Sequence, residues 1–140
     1  MTINQIQDEL IEDFAFYGDW MEKYEYIIQL GKEVPLIDEK YKTHQFIIKG
    51  CQSKVWLYPE LVEGKIIFKA DSDAVITKGL VSLMVKVLSG HSPKEIAEAE
   101  LYFVDQIGLK EHLSPTRANG LLSMIKQMKL YAIALQNVKV

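Results

Sequence analysis

Two periodicities, and their order along the chain, constrain the fold most strongly. Apolar residues recur at helical spacing near the N-terminus and again through the second half, whereas a middle block alternates apolar and polar residues. The chain shows no strand–helix–strand alternation, so a parallel sheet with crossover helices is not expected. The pattern predicts an α+β fold, in which helices from both ends of the chain pack on a small antiparallel sheet.

The predicted helices begin at recognisable caps. Thr2 with Gln5 resembles a capping box for the first helix, and Asp19 begins a second helix that Gly31 ends. Because Asp, Ser and Ser-Pro are common at helix starts, we expect further helices in the second half. Their starts lie at Asp71-Ser72-Asp73, at Ser92-Pro93 and at Ser114-Pro115.

Three short strands are predicted in the middle block. They span Gln45 to Lys49, Lys54 to Tyr58 and Lys65 to Ala70, and residues 32–44 before them read as a loop. Gly50 ends the first strand. The simplest pairing is a three-stranded antiparallel meander.

Length and composition fit one domain over residues 1–140. About half of the residues are apolar (49%) and a quarter are charged (25%), which supports a hydrophobic core without disulfides or metals. The net charge of −3 disfavours a general affinity for nucleic acids or anionic membranes, since both would need a basic surface.

The N-terminus and the cysteine content predict a cytoplasmic protein. The first basic residue is Lys23, and six acidic residues precede it, which is unlike a secretory or transit peptide. The longest apolar stretch, Ala74 to Leu88, contains Lys78 and Lys86 and is too short to span a bilayer. A single cysteine cannot form an internal disulfide, which is typical of a reducing compartment.

Cys51 is the first candidate for chemistry, because it is the only thiol and lies between two predicted strands. A glycine before it permits a sharp reversal, so the cysteine side chain can project from a loop. Lys49, Lys54 and Ser53 are its neighbours, and all three would favour the nucleophilic thiolate. The alternative interpretation is a small apolar residue at a strand end.

Arg117 is the second unusual residue, since the other fifteen basic residues are lysines. It falls in the first turn of the last predicted helix, where the helix dipole disfavours a cation. A planar guanidinium at such a place suggests a fixed partner, such as a carboxylate or a backbone turn. The alternative is an intramolecular pair with a surface acid.

The other polar residues give weaker signals. Helix capping accounts for Asp71 and Asp73 by itself, and too few ligands surround them for a metal site. A histidine could activate the Cys51 thiol in a Cys–His hydrolase, but no hydrolase motif surrounds Cys51. The cysteine and the histidines also lack the spacing of a zinc site. Gly79 and Gly120 lie inside predicted helices and indicate close packing. The three histidines are His44, His91 and His112.

The segment Gly50-Cys51-Gln52-Ser53-Lys54-Val55-Trp56 resembles the SufE family of sulfur-acceptor proteins in iron–sulfur cluster assembly. Three further blocks agree with the family in order and spacing, so the resemblance covers most of the chain. They are Trp20-Met21-Glu22-Lys23-Tyr24 with Ile27-Ile28 and Leu30-Gly31, Ala70-Asp71-Ser72-Asp73-Ala74 with Lys78-Gly79-Leu80, and Leu113-Ser114-Pro115-Thr116-Arg117 with Gly120-Leu121.

The resemblance implies an accessory sulfur carrier with no substrate turnover and no cofactor or metal of its own. A SufS-type cysteine desulfurase, which carries the pyridoxal phosphate, would pass persulfide sulfur to Cys51 by transpersulfidation and be activated by docking. The sulfur would then go to an iron–sulfur scaffold. The α+β fold would be shared with IscU-type scaffolds, whose three cysteines this chain lacks. The residues expected to support the loop or contact the partner are Gly50, Gln52, Ser53, Asp71, Asp73 and Arg117.

Two alternatives accompany this interpretation. An equivalent carrier could serve a CsdA-type desulfurase, because the matching blocks do not separate the two partners. A stand-alone Cys–His hydrolase would need a histidine beside Cys51 in the fold. The sequence leaves the resting position of the Cys51 loop open.

Overall fold

Helices dominate both ends of residues 1–137, the part of the chain that the computed structural model describes. The strands are β1 (Val55–Val62) and β2 (Lys65–Ser72). The helices are α1 (Ile3–Phe16), α2 (Trp20–Gly31), α3 (Val75–Leu88), α4 (Pro93–Glu98), α5 (Phe103–Ile107), α6 (Leu109–His112) and α7 (Pro115–Leu135). Two short 3-10 helices, Glu39–Tyr41 and His44–Phe46, precede β1.

The N-terminal caps form as predicted. The backbone N–H of Gln5 donates to Thr2 Oγ1 at 3.1 Å, and the N–H of Thr2 donates to Gln5 Oε1 at 2.9 Å, so the capping box is complete. Asp19 accepts from the N–H of Glu22 at 2.9 Å and caps α2. These hydrogen bonds occupy N–H groups that a helix start would otherwise leave without partners.

The sheet contains two antiparallel strands in the described residues, so the predicted third strand at Gln45–Lys49 is wrong. Val55 pairs with Ser72 at one end, and the strands reverse at a turn through Glu63 and Gly64 at the other. In place of a third strand, the 3-10 helix His44–Phe46 leads to one bridge between Ile47 and Trp56.

Aromatic packing explains why this segment is not a strand. The ring of Phe46 packs edge-on against Tyr41 and Tyr58, with centroids 5.6 and 5.1 Å apart. The two tyrosine rings stack on one another at 4.0 Å. The β-favouring residues of the segment therefore serve tertiary contacts, and those contacts override their strand propensity.

Helix α3 forms the centre of the core. It begins at Val75, one residue later than a helix capped by Asp73 would begin. Its N-cap is Ala74, which makes no side-chain hydrogen bond, so capping of α3 by Asp71 and Asp73 is wrong. Its middle is buried on every side, including Gly79, where an added Cβ would lie 2.3 Å from the carbonyl oxygen of Ile27 on α2. The prediction that Gly79 indicates close helix packing is confirmed.

Helix α7 packs against α3 and α4 and covers the core from the C-terminal side. Its buried face includes Leu121, Met124 and Met128, as its apolar spacing predicts. The short helices α5 and α6 were not predicted, because five and four residues are too few to show a periodicity. No helix among residues 1–137 has the length and apolar character needed to cross a membrane.

Candidate functional site

Cys51 lies half-buried on the turn that leads into β1, against the N-terminal half of α7. Its thiol donates to the carbonyl oxygen of Gly120, with Sγ and the oxygen 3.6 Å apart. A Cβ added to Gly120 would lie 3.4 Å from Sγ, which is an ordinary van der Waals contact. The helix and the Cys51 turn therefore pack against each other at Gly120, as predicted, with space for a methyl group.

Gly50 fixes the approach of this turn to α7. Its φ of +94° is in the left-handed region that favours glycine. A Cβ at this position would also lie 2.4 Å from Ser123 Oγ on α7. The conformation and the short distance both require a residue without a side chain immediately before Cys51.

The other end of the turn is held by the loop between β2 and α3. The backbone N–H of Lys54 donates to Asp73 Oδ1 at 3.0 Å, and the Ser72 hydroxyl donates to the carbonyl oxygen of Lys54 at 2.8 Å. The N–H of Asp73 donates to the same carbonyl oxygen at 3.2 Å. Ser72 and Asp73, which were predicted as helix caps, therefore bind the backbone of the Cys51 turn.

Asp71 serves a neighbouring ion-pair cluster and does not reach the turn. Its carboxylate lies 2.6 Å from Lys42 Nζ and 3.3 Å from Lys78 Nζ. Burial alone would raise the pKa of Asp71, but hydrogen bonds from Lys42, the N–H of Ser72 and Lys78 hold it below its ordinary value. This cluster ties the loop before β1 to the first turn of α3.

Burial favours the protonated form of the Cys51 thiol. Burial raises its pKa above that of a free thiol, because a thiolate beside α7 would lose its hydration. The predicted stabilisation of the thiolate by Lys49, Lys54 and Ser53 is therefore wrong in this conformation. Both lysine side chains are exposed to solvent, which weakens any interaction with Sγ.

A small cavity of about 70 Å³ adjoins the thiol. It brings four predicted site residues together and leaves out Gly50, Asp71 and Asp73. Sequence reasoning did not predict a place in the site for Thr77, Leu80, Thr116 and Met124, because these residues look like ordinary helix positions. The cavity is lined by Cys51, Gln52, Ser53, Thr77, Leu80, Thr116, Arg117, Gly120 and Met124.

Arg117 lies exposed at the mouth of this cavity in the first turn of α7. Its backbone N–H donates to Ser114 Oγ at 3.3 Å. Its guanidinium makes no salt bridge or hydrogen bond within residues 1–137, so neither predicted kind of partner is found there. Five donors are therefore available to a molecule that approaches Cys51.

None of the three histidines lines the Cys51 cavity. His91 Nε2 lies 2.9 Å from the carbonyl oxygen of Met1, and the ring of His112 stacks on Trp20 at 3.9 Å. His44 lines a different depression. The geometry does not assemble a Cys–His pair, and residues 1–137 hold no group of three His, Cys, Asp or Glu side chains suited to a metal ion.

Comparison with known proteins identifies the family. Residues 8–132 match the family described as "SufE: Fe-S metabolism associated domain". The chain belongs to the SufE family. An uncharacterized SufE-like protein of Rhizobium meliloti (strain 1021) is 40% identical over 127 residues, which cover 87% of this chain and 91% of that protein. A SufE-like protein of Synechocystis sp. is 36% identical over 128 residues, which cover 91% and 80% of the two chains.

These matches confirm the predicted resemblance to SufE and associate the chain with iron–sulfur metabolism. A hypothetical protein from Thermus thermophilus, solved in solution, shares the fold with a TM-score of 0.79. The similarity covers 95% of this chain and 97% of that one, at 18% sequence identity. The α+β class is thus confirmed for this SufE chain, with two strands in place of the predicted three.

Proposed function

We propose that this SufE chain accepts persulfide sulfur from a SufS-type cysteine desulfurase on Cys51, activates that desulfurase, and relays the sulfur to iron–sulfur cluster assembly. The observation that carries the proposal is the position of the thiol. Cys51 lies on a turn held to the body of the protein by a few hydrogen bonds, at a cavity with Arg117 at its mouth. The family description, which concerns iron–sulfur metabolism, supports the same conclusion.

The transfer is a thiol exchange that consumes no oxidant. Cys51 loses its proton to solvent, and its thiolate Sγ attacks the outer sulfur of the desulfurase persulfide. A bond forms between Sγ and that sulfur, while the bond between the outer and inner sulfurs of the donor breaks. The donor cysteine leaves as a thiolate, so the number of S–S bonds does not change.

This chemistry requires the turn to leave α7. At rest the thiol is half-buried and its pKa is raised, whereas only the thiolate is an effective nucleophile. Movement away from Gly120 would return Sγ to water, restore the ordinary pKa and extend the thiol towards a partner. The resting position would in turn limit oxidation, because oxidation also follows exposure and thiolate character.

The chain acts in this proposal as an accessory protein without a cofactor or metal of its own, in the cytoplasm. The pyridoxal phosphate belongs to the desulfurase, which releases sulfur from cysteine. A CsdA-type desulfurase is the alternative donor. No specific observation favours the hydrolase alternative, since the cavity lining offers no histidine to activate the thiol.

The deciding experiment mixes the reduced protein with a SufS-type desulfurase and cysteine. Intact-mass analysis without reductant should show one added sulfur, and peptide mapping should assign it to Cys51. A Cys51→Ser variant should bind the desulfurase and gain no sulfur. Failure of both SufS-type and CsdA-type enzymes to transfer sulfur to the folded, reduced protein would overturn the proposal.

We assign Arg117 to contact with the partner, because its guanidinium is exposed next to the thiol and has no ion pair in the described structure. Arg117→Lys keeps the charge and loses the planar pair of donors. The variant should stimulate the desulfurase less while its melting temperature stays unchanged. Full stimulation by Arg117→Lys would show that charge alone suffices.

A further inference from the structure

A groove of about 510 Å³ lies on the side of α7 next to the Cys51 turn. One wall comes from the segment 44–49, which leads directly into the turn, and the other comes from α7. Ser123 belongs to the α7 wall and is also the residue that Gly50 approaches most closely. The groove and the Cys51 turn therefore share a boundary.

The lining of the groove is basic, although the whole chain carries a net charge of −3. It includes Lys49, Lys126 and His44, and it includes no acidic residue. Both lysine side chains are exposed, and within the described chain neither takes part in a salt bridge. This local reversal of charge would attract an acidic surface and repel a basic one.

An exposed apolar strip continues from this groove along α7. The side chains of Leu122, Leu130 and Ile133 are 45%, 48% and 54% exposed, and Leu130 also lines the groove. At about 100° per residue, these three positions and Lys126 fall on one face of the helix. Adjacent exposed apolar side chains beside polar ones are typical of a protein interface.

We propose that this face of α7, with the basic groove, docks the protein that donates sulfur, through an acidic patch on that protein with apolar residues at its centre. The inference rests on the proposed function and names the chemistry of the partner surface. Acceptance of sulfur is the step in which the turn must leave α7. A donor bound beside Gly50 would lie next to the turn at that moment.

A second copy of this chain fits the face less well. A two-fold dimer places the same patch of each subunit against the other, so the lysines of the groove would find no acidic residue in the groove of the second copy. Like charges brought together in an interface oppose association. The charge of the groove therefore favours an acidic partner over self-association.

The test compares two variants on the face with two matched controls away from it. Lys126→Glu and Leu130→Ala change the face, whereas Lys94→Glu on α4 and Met21→Ala on α2 change exposed residues outside it. Binding of a SufS-type and of a CsdA-type desulfurase is followed by surface plasmon resonance at several salt concentrations. Melting temperatures verify that all four variants fold.

Lys126→Glu should slow association by about tenfold at low salt and flatten its dependence on salt, because charges at an interface mainly affect the association rate. Leu130→Ala should speed dissociation by about threefold to tenfold, since lost apolar contacts mostly affect that rate. The controls Lys94→Glu and Met21→Ala should bind like the wild type. The Cys51→Ser variant should also bind like the wild type, which separates docking from sulfur transfer.

The possible outcomes separate the two proposals. If Lys126→Glu and Leu130→Ala match their controls while sulfur still reaches Cys51, the docking face is wrong and the sulfur-acceptor function stands. If the face variants bind a desulfurase more weakly than their controls but the wild type gains no sulfur from it, the face docks that desulfurase and the sulfur-acceptor function falls. If the wild type binds neither a SufS-type nor a CsdA-type desulfurase, the docking face is overturned.

Discussion

The thiol of Cys51 donates to the carbonyl oxygen of Gly120, which lies 69 residues further along the chain. A glycine inside a helix costs about 1 kcal/mol relative to alanine. Gly120 lies where the Cys51 turn packs against the backbone of α7. The resting state of the proposed sulfur acceptor thus depends on a contact between two elements distant in sequence.

The raised pKa of Cys51 should be visible in its alkylation. The rate of reaction with iodoacetamide follows the thiolate fraction, so its midpoint should lie above that of a free thiol in the folded protein and return to the ordinary value in urea. Free cysteine provides the control. A folded protein whose midpoint lies at or below that of free cysteine would contradict the buried resting state.

The same shift has a consequence for stability. Folding raises the pKa of Cys51, so the protonated thiol contributes fully to the free energy of unfolding below the ordinary thiol pKa. This contribution is lost as pH rises through the pKa that Cys51 has in the folded protein. The free energy of unfolding should therefore fall more steeply above about pH 8 in the wild type than in Cys51→Ser, whose hydroxyl does not titrate there.

Gly50→Ala should release the Cys51 turn. An alanine at a φ of +94° is strained by about 1–2 kcal/mol, and its Cβ would also meet Ser123 Oγ. If this strain is relieved when the turn leaves α7, alkylation of Cys51 should accelerate by about fivefold to thirtyfold.

Gly64→Ala is the matched control, because Gly64 has a φ of +80° and no atom within 4 Å of an added Cβ. It lies in the turn between the strands, away from the thiol. This variant should lose a similar amount of stability and leave alkylation of Cys51 unchanged. Equal acceleration in Gly64→Ala and Gly50→Ala would indicate general loosening of the fold instead of local release.

Features set by neighbouring residues were predictable from the sequence, whereas features set by distant contacts were not. The capping box of Thr2 and Gln5 spans three residues and formed as predicted. The missing strand at Gln45–Lys49 depends on the ring of Phe46, which packs against a tyrosine of β1. Local propensity contains no information about such a partner.

In the candidate site, too, the features set by neighbouring residues were predictable and those set by distant contacts were not. The motif identified the family and made Cys51 the candidate residue, but the adjacent lysines suggested a stabilised thiolate. The burial that raises the pKa comes from packing against α7, which the local sequence does not show. Asp73 resembled a helix cap because it precedes an apolar stripe, yet its carboxylate accepts from Lys54, nineteen positions earlier.

Asp73→Ala should loosen the opposite end of the turn. It removes the acceptor for the Lys54 N–H, a hydrogen bond to a charged group worth about 1 kcal/mol at an exposed site, so alkylation of Cys51 should accelerate by about fivefold. Asp73→Asn keeps an oxygen in the same position and should stay within about twofold of the wild type. If Asn accelerates alkylation as much as Ala, the negative charge and not the hydrogen bond holds the turn.

Two helical glycines should respond to alanine in opposite directions. At Gly79 the new Cβ would lie 2.3 Å from the backbone oxygen of Ile27, which cannot move without shifting α2 against α3. Such overpacking costs about 1–3 kcal/mol, so Gly79→Ala should lower the free energy of unfolding in urea.

At Gly120 the nearest atom to a new Cβ is the sulfur of Cys51 at 3.4 Å, on a turn that can adjust. Gly120→Ala should therefore retain most of the gain of about 1 kcal/mol that alanine brings to a helix interior. Urea unfolding of both variants, with equal m-values as the check on cooperativity, measures the difference. A loss of stability in Gly120→Ala comparable to that in Gly79→Ala would mean that the Cys51 turn is held as rigidly as the helix core.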